Sequence, residues 1–225
     1  MVTLGEALVN AGYQTAMTGK WHLGAEPPKQ PFRRGFQEYY GLLSGCSSFF
    51  DPSKPDPVFY NGGKVRPFAH NEKPVTKFPE DYYATDAFTD HAVQVIQRCA
   101  QAEKPFFLNL NYTAPHFPLH ALKEDIDAYR TSYDMGWDKA REMILERQKE
   151  LGIIPLNTML TKRIDVIPAW DSLPEEEKKL YTRQMEVFAA QMEWVDLQIG
   201  RVVKELERIG ELDNTLIFVT ADNGA

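Results

Sequence analysis

Five residues in this sequence have types and spacing suited to chemistry on a charged oxygen cluster: Lys20 and His22, His116, and Asp222 with Asn223. The stretch Thr18-Gly19-Lys20-Trp21-His22-Leu23-Gly24 sets an ammonium and an imidazole two residues apart. On an extended backbone the two would share a face, because side chains alternate with a period of two. The ammonium neutralises charge as a point donor, and the imidazole holds or moves a proton near neutral pH, which suits sulfate or phosphate. The same stretch also reads as a surface hairpin with Trp21 buried and its polar neighbours solvated. His116 lies between Pro115 and the Phe117-Pro118 pair, whose rings remove backbone freedom where an imidazole must be aimed. His120 is a second candidate there. Asp222 and Asn223 offer a carboxylate and an amide oxygen, hard donors suited to calcium or magnesium. Asp-Asn-Gly is also a frequent turn.

Elements that would position these residues can be read from periodicity. Thr3 to Asn10 predicts a short amphipathic helix with Leu4, Ala7, Leu8 and Ala11 on one side, closed by Gly12. Tyr13 to Thr18 predicts a strand that delivers Lys20 and His22. Residues 27–79 are rich in proline, glycine and aromatics and predict an irregular excursion over the cleft, with one hairpin about Asn61-Gly62-Gly63. His70 falls there and reads as a solvated loop histidine. From Tyr82 to Ala102, Ala84, Phe88, Ala92, Val95, Ile96 and Cys99 take helical spacing. His91 sits beside that stripe and reads as a packed residue, not a ligand. Phe106 to Tyr112 predicts a buried strand leading to His116. The sequon Asn111-Tyr112-Thr113 is discounted on that ground.

Residues 123–171 predict a helical and loop insertion, with Asp138 to Leu151 a solvated charged helix. Ser172-Leu173-Pro174-Glu175 has the form of a capping box opening the longest helix. Along that helix Met185, Phe188, Met192, Val195, Ile199, Val202, Leu206 and Ile209 step by three and four, a stripe suited to a helix laid on a sheet or to a coiled coil. Thr215 to Thr220 is the clearest strand pattern in the chain and hands over to Asp222. Strands ending in polar residues, with helices between them, predict an α/β fold whose sheet is largely parallel.

Composition narrows the class. Hydrophobic residues at 43% and charged residues at 25% are ordinary globular values. A formal charge of −7 argues against a general nucleic-acid binder, while a few local cations suffice for an anionic substrate. No apolar run is long enough to span a membrane, and no signal peptide opens the chain. The spacing of Cys46 and Cys99 excludes a metal knuckle, and both read as small apolar residues.

Gly19-Lys20-Trp21-His22-Leu23-Gly24 resembles the second motif of the sulfatase family. Ala114-Pro115-His116-Phe117-Pro118-Leu119 resembles its histidine motif, and Thr220-Ala221-Asp222-Asn223-Gly224 its metal-binding Asp-Asn-Gly. Arg34 to Gly41 follows the family pattern as well, and residues Tyr129 to Gly210 look most like the bacterial arylsulfatase branch. The resemblance implies an alkaline-phosphatase-like sandwich, a calcium or magnesium ion, and hydrolysis of a small-molecule or glycan sulfate ester. It implies that Lys20 holds sulfate oxygens, that His22 moves a proton, that His116 contacts sulfate and protonates the leaving oxygen, and that Asp222 and Asn223 ligate the metal. The family nucleophile is a formylglycine made from a Cys/Ser-x-Pro-x-Arg sequence, and neither Cys46 nor Cys99 stands in that context. The chain is therefore expected to be an internal part of a sulfatase catalytic domain, inactive alone. A phosphatase or phosphodiesterase of the same superfamily, or a catalytically dead anion- or partner-binding remnant, are the alternatives.

Overall fold

The computed structural model describes residues 2–55, 63–102 and 104–221. They fall into two compact units, Met1–Pro118 with Trp194–Ala225, and Leu119–Glu193.

The first unit is built on a five-stranded sheet. Its strands are β1 (Gln14–Gly19), β2 (Glu38–Leu42), β3 (Phe68–His70), β4 (Lys73–Val75) and β5 (Phe106–Asn111), in the order β4-β3-β2-β1-β5. β1 is central and runs parallel to both β2 and β5, with Thr18 opposite Tyr40 and Gly19 opposite Asn111. β3 and β4 extend the sheet as antiparallel strands. This is the expected α/β architecture, with a parallel centre and an antiparallel edge. Residues 27–79 are not an irregular excursion throughout, since they supply three of the five strands. Short strands of mixed aromatic and glycine composition give no long period to read. The hairpin seen there joins β3 to β4 around Asn71, whose side chain and backbone both bond to Tyr39 of β2. The hairpin expected at Asn61-Gly62-Gly63 rests largely on residues outside those described.

Helix α1 (Leu4–Asn10) opens on a capping box between Thr3 and Glu6. Its apolar stripe is not what it buries, because Leu4 is 61% exposed and Gly5 is the buried position. A Cβ on Gly5 would meet the Gly35 carbonyl oxygen at 2.8 Å, so α1 docks by backbone approach. Helix α2 (Ala84–Gln101) buries the whole expected stripe from Ala84 to Cys99. Phe88, Leu42, Phe49 and Phe68 form one core with it, and Ala16, Val95 and Cys99 another. His91 of α2 is buried, with Nδ1 at 2.7 Å from Thr18 Oγ1 and Nε2 at 3.0 Å from Glu38 Oε1.

The second unit holds α3 (Lys123–Ala128), α4 (Gly136–Glu150) and the start of α5 (Glu175–Arg208). α4 is the expected solvated helix, laced by pairs such as Lys139–Glu142 and Arg147–Glu150. Trp170 packs edge-on against Trp137 and lies over Gly136. The capping box at Ser172 does not form. Ser172 Oγ donates to the Ala169 carbonyl in a 3-10 turn, and α5 begins later, at Glu175.

α5 follows the expected stripe only in part: Leu206 is buried and Val195 packs against the first core, but the rest of the buried face differs. Met185 and Met192 are 40% and 44% exposed, whereas Glu186, Gln191, Gln198 and Glu205 are buried. From Trp194 onward the helix lies along α2, not on the sheet: Trp194 Nε1 donates to Asp86, and Arg201 pairs with Asp90. Residues 215–220, the clearest strand pattern in the sequence, form no strand, and Phe218 is 81% exposed. An apolar run becomes a strand only where a neighbouring backbone offers a ladder, and none of the described residues does so here.

Candidate functional site

Three parallel strands deliver their carboxyl ends to one edge of the sheet, and the chemistry-bearing loops start there. β1 ends at Gly19 and passes directly into Lys20-Trp21-His22. β5 ends at Asn111 and leads through Thr113 to His116. β2 ends at Leu42 and leads to Gly45.

The Lys20 segment is pinned from both sides. Lys20 N donates to the Asn111 carbonyl at 2.8 Å, and Asn111 Nδ2 donates to the Lys20 carbonyl at 3.2 Å. On the other side Trp21 N donates to the Leu42 carbonyl at 2.9 Å. Strand β1 is thus tied past its own end to both parallel neighbours. Gly19 makes this possible. Its φ is +101°, and an added Cβ would lie 1.9 Å from the Asn111 carbonyl oxygen. Gly41 approaches as closely on the other side, where a Cβ would lie 2.1 Å from the Gly19 carbonyl oxygen.

Alternation does not place His22 beside Lys20, because the strand stops at Gly19 and His22 has φ +58°. A left-handed histidine is uncommon and turns the chain at that point. Its ring lies over Gly45, where a Cβ would meet Nε2 at 2.6 Å. Trp21 is half-buried and donates Nε1 to the Lys29 carbonyl at 2.9 Å. His22 is exposed, Lys20 half-buried.

His116 is half-buried, with its backbone N bonded to the Thr113 carbonyl at 2.9 Å. Its Nδ1 lies 2.6 Å from the Phe117 carbonyl. A carbonyl can only accept, so Nδ1 carries a proton here. The buried Thr113 and Ala114 seat this loop. His120 belongs to the second unit, and burial lowers its pKa below the ordinary imidazole value.

Asp222 and Asn223 lie outside the described residues. Their donor chemistry fits a hard divalent ion, since both offer oxygen. Sequence reading missed Asn111, Gly41 and Gly45. The sequon drew attention to Asn111 for a different reason, and its amide is in fact engaged by the Lys20 carbonyl.

A cleft of about 490 Å³ opens in the second unit among Arg130, Lys178, Lys179 and Arg183. These cations are already paired with Asp127, Glu175, Glu176 and Glu186, which leaves little field for an anion.

Comparisons with known proteins bear on the family and the fold. The family model described as Sulfatase matches residues 1–225. An uncharacterized sulfatase of Schizosaccharomyces pombe is 39% identical over 100% of this chain and 41% of its own length. An arylsulfatase of Klebsiella aerogenes is 32% identical over 100% of this chain and 47% of its own. Among solved structures, Ps i-CgsB in complex with k-i-k-neocarrahexaose superposes with a TM-score of 0.60 at 26% identity, covering 93% of this chain and 37% of that one. The chain thus spans less than half the length of these relatives.

Proposed function

Because the chain belongs to the sulfatase family, we propose that it carries the central part of a site that hydrolyses a sulfate monoester. One observation supports this reading above the others. Gly19 of β1 is in register with Asn111 of β5, so the Lys20 and His116 loops leave the same sheet edge. That edge, beyond the carboxyl ends of parallel strands, is where α/β folds place their ligands.

In this reading Lys20 binds sulfate oxygens. Its ammonium stabilises the charge that grows on them as the ester bond breaks, an effect that commonly carries much of the rate. Its backbone is fixed by Asn111 and that of Trp21 by Leu42, so the root of the lysine is in place before the reaction. His22 holds or moves a proton at the sulfate end, and the glycine at position 45 leaves room for its ring. His116 works at the opposite bond. As an imidazolium, His116 keeps its Nδ1–H on the Phe117 carbonyl and gives its second proton, from Nε2, to the departing oxygen, leaving the neutral Nδ1–H ring.

Calcium is the ion proposed for Asp222 and Asn223, on the chemistry of their oxygen donors, and it would supply a fixed positive charge at the sulfate. The formylglycine implied by the family would supply the attacking oxygen. Neither Cys46, followed by Ser-Ser-Phe, nor Cys99, followed by Ala-Gln-Ala, has the sequence context for that conversion. Turnover by this chain alone is therefore not expected. An aryl or glycan ester is the substrate class proposed, from the arylsulfatase relative and the oligosaccharide-bound neighbour.

The test uses a version of the protein that includes the remaining length of its relatives. His116→Ala should slow esters with poor leaving groups by roughly 100-fold or more and activated aryl sulfates much less, since protonation matters least for a good leaving group. Equal losses on both esters would remove His116 from that role.

A further inference from the structure

We propose that Glu38, His70 and His91 form a second metal site, suited to a borderline transition-metal ion such as zinc and separate from the oxygen-donor pair at Asp222 and Asn223. The three side chains come from three elements of the first unit. Glu38 opens β2, His70 closes β3, and His91 lies midway along α2. Each offers one ligand atom, and these atoms all lie within 4.8 Å of one another. β2 and β3 pair with Tyr40 opposite His70, and Tyr40 is two residues from Glu38, so the carboxylate and the exposed imidazole share the face that receives α2.

The chemistry of His91 points to a ligand role. The side chain is 91% or more buried, and Nε2 makes no hydrogen bond although Glu38 Oε1 is only 3.0 Å away. That nitrogen is thus left without a well-formed hydrogen bond at 3.0 Å from a carboxylate. Nδ1 meets Thr18 Oγ1 at 2.7 Å, a partner that can accept its proton. With the proton on Nδ1, Nε2 presents a lone pair beside an anionic oxygen. Two electron-rich atoms at that distance repel unless a cation lies between them.

A metal ion resolves the arrangement. With metal bonds near 2.0 Å, tetrahedral donors stand about 3.3 Å apart, and each lone pair points at the ion, not at the neighbouring donor. The 3.0 Å Glu38–His91 spacing and the unpartnered Nε2 match that geometry. His70 supplies the third ligand through a small movement of an exposed ring already 5.7 Å, centroid to centroid, from the His91 ring. Thr18 then takes the outer position common for metal-bound histidines, fixing the ring through its second nitrogen. Two imidazoles and one carboxylate select zinc, cobalt or iron over calcium, which prefers an all-oxygen shell. The Arg98 guanidinium also contacts Glu38 Oε1, and as an exposed side chain it is free to turn to solvent or to the second oxygen.

The site would fasten the α2 helix to the antiparallel edge of the sheet, joining β2, β3 and α2 by one ion. It revises the reading of His91 as a packed residue only, and of His70 as a solvated one.

The experiment is a cobalt(II) titration of the purified, untagged, metal-stripped protein at neutral pH, followed by visible absorption and by calcium competition. One equivalent should bind with the intense d–d bands of a tetrahedral nitrogen and oxygen shell, and excess calcium should not displace it. His70→Ala removes an exposed ligand and should leave the fold intact by circular dichroism while weakening cobalt roughly tenfold or more. Glu38→Gln should do the same, and zinc should displace cobalt from the parent protein. Absence of bound cobalt would overturn the proposal and leave the cluster a proton-linked ion pair with Arg98. Bands unchanged in both variants would overturn it equally, assigning the metal to His22, His116 or His120.

Discussion

Replacing Gly19 by alanine isolates the contact that holds Lys20 at the sheet edge. Gly19 has φ +101°, a conformation that costs an L-residue roughly 1–2 kcal/mol. The added Cβ would also lie 1.9 Å from the Asn111 carbonyl oxygen, about 1.5 Å inside ordinary van der Waals contact. Strands β1 and β5 must separate locally to relieve that overlap. The Lys20 N to Asn111 O hydrogen bond lies at the point of separation, as does the Asn111 amide bond to the Lys20 carbonyl. Losing one such bond costs about 1 kcal/mol, and leaving its partner buried costs more. The sum is on the order of 3 kcal/mol, a large share of the stability of a domain this size. Gly12 provides the control. Its φ is +90°, yet no atom lies within 4 Å of its added Cβ, so Gly12→Ala carries the conformational cost alone. Urea unfolding followed by tryptophan fluorescence and far-ultraviolet circular dichroism should give Gly12→Ala a loss of about 1 kcal/mol and Gly19→Ala at least twice that. Equal losses would refute the close approach of β1 to Asn111 as the fixing contact.

Two further outcomes follow from exposure and from donor chemistry. Phe218→Lys should change the stability of this chain by less than about 0.5 kcal/mol, because the ring is 81% exposed and its segment pairs with no strand among the described residues; a loss above about 1 kcal/mol in urea unfolding would show that residues 215–220 are paired in solution. In a version of the protein carrying the remaining length of its relatives, Asp222→Ala should weaken calcium more than Asn223→Ala, since it removes a full charge from the ligand shell. Calorimetric titration decides that order, and the reverse order would remove Asp222 as the anionic ligand.

Much of what positions the site was legible in the sequence because it rests on local patterns. The stripe from Ala84 to Cys99 specified α2 and its buried face. The runs at residues 13–18 and 106–112 specified β1 and β5, each within a residue or two. What was not legible depends on partners distant in sequence. Strand β2 is five residues with a glycine inside it, and it is a strand because β1 and β3 flank it. Residues 215–220 have the stronger intrinsic pattern and form no strand, because pairing and not propensity decides. In α5 the apolar stripe was read as the buried face, yet Trp194 and Arg201 turn the helix toward acidic residues of α2. Strand alternation predicts one shared face for Lys20 and His22, but the strand ends at Gly19. Two positive-φ residues, Gly19 and His22, set their directions where strand alternation was assumed.

We propose that the edge bearing Lys20, His22 and His116 acts on sulfate esters. It is tested most directly by kcat/KM for 4-nitrophenyl sulfate and 4-nitrophenyl phosphate, measured side by side on a version of the protein with the full length of its relatives. The account predicts that the sulfate ester is preferred and that Lys20→Ala lowers its kcat/KM by roughly 100-fold or more, as expected for loss of a fixed charge at the reacting group. Preference for the phosphate ester, or sulfate hydrolysis unchanged in Lys20→Ala, would contradict it.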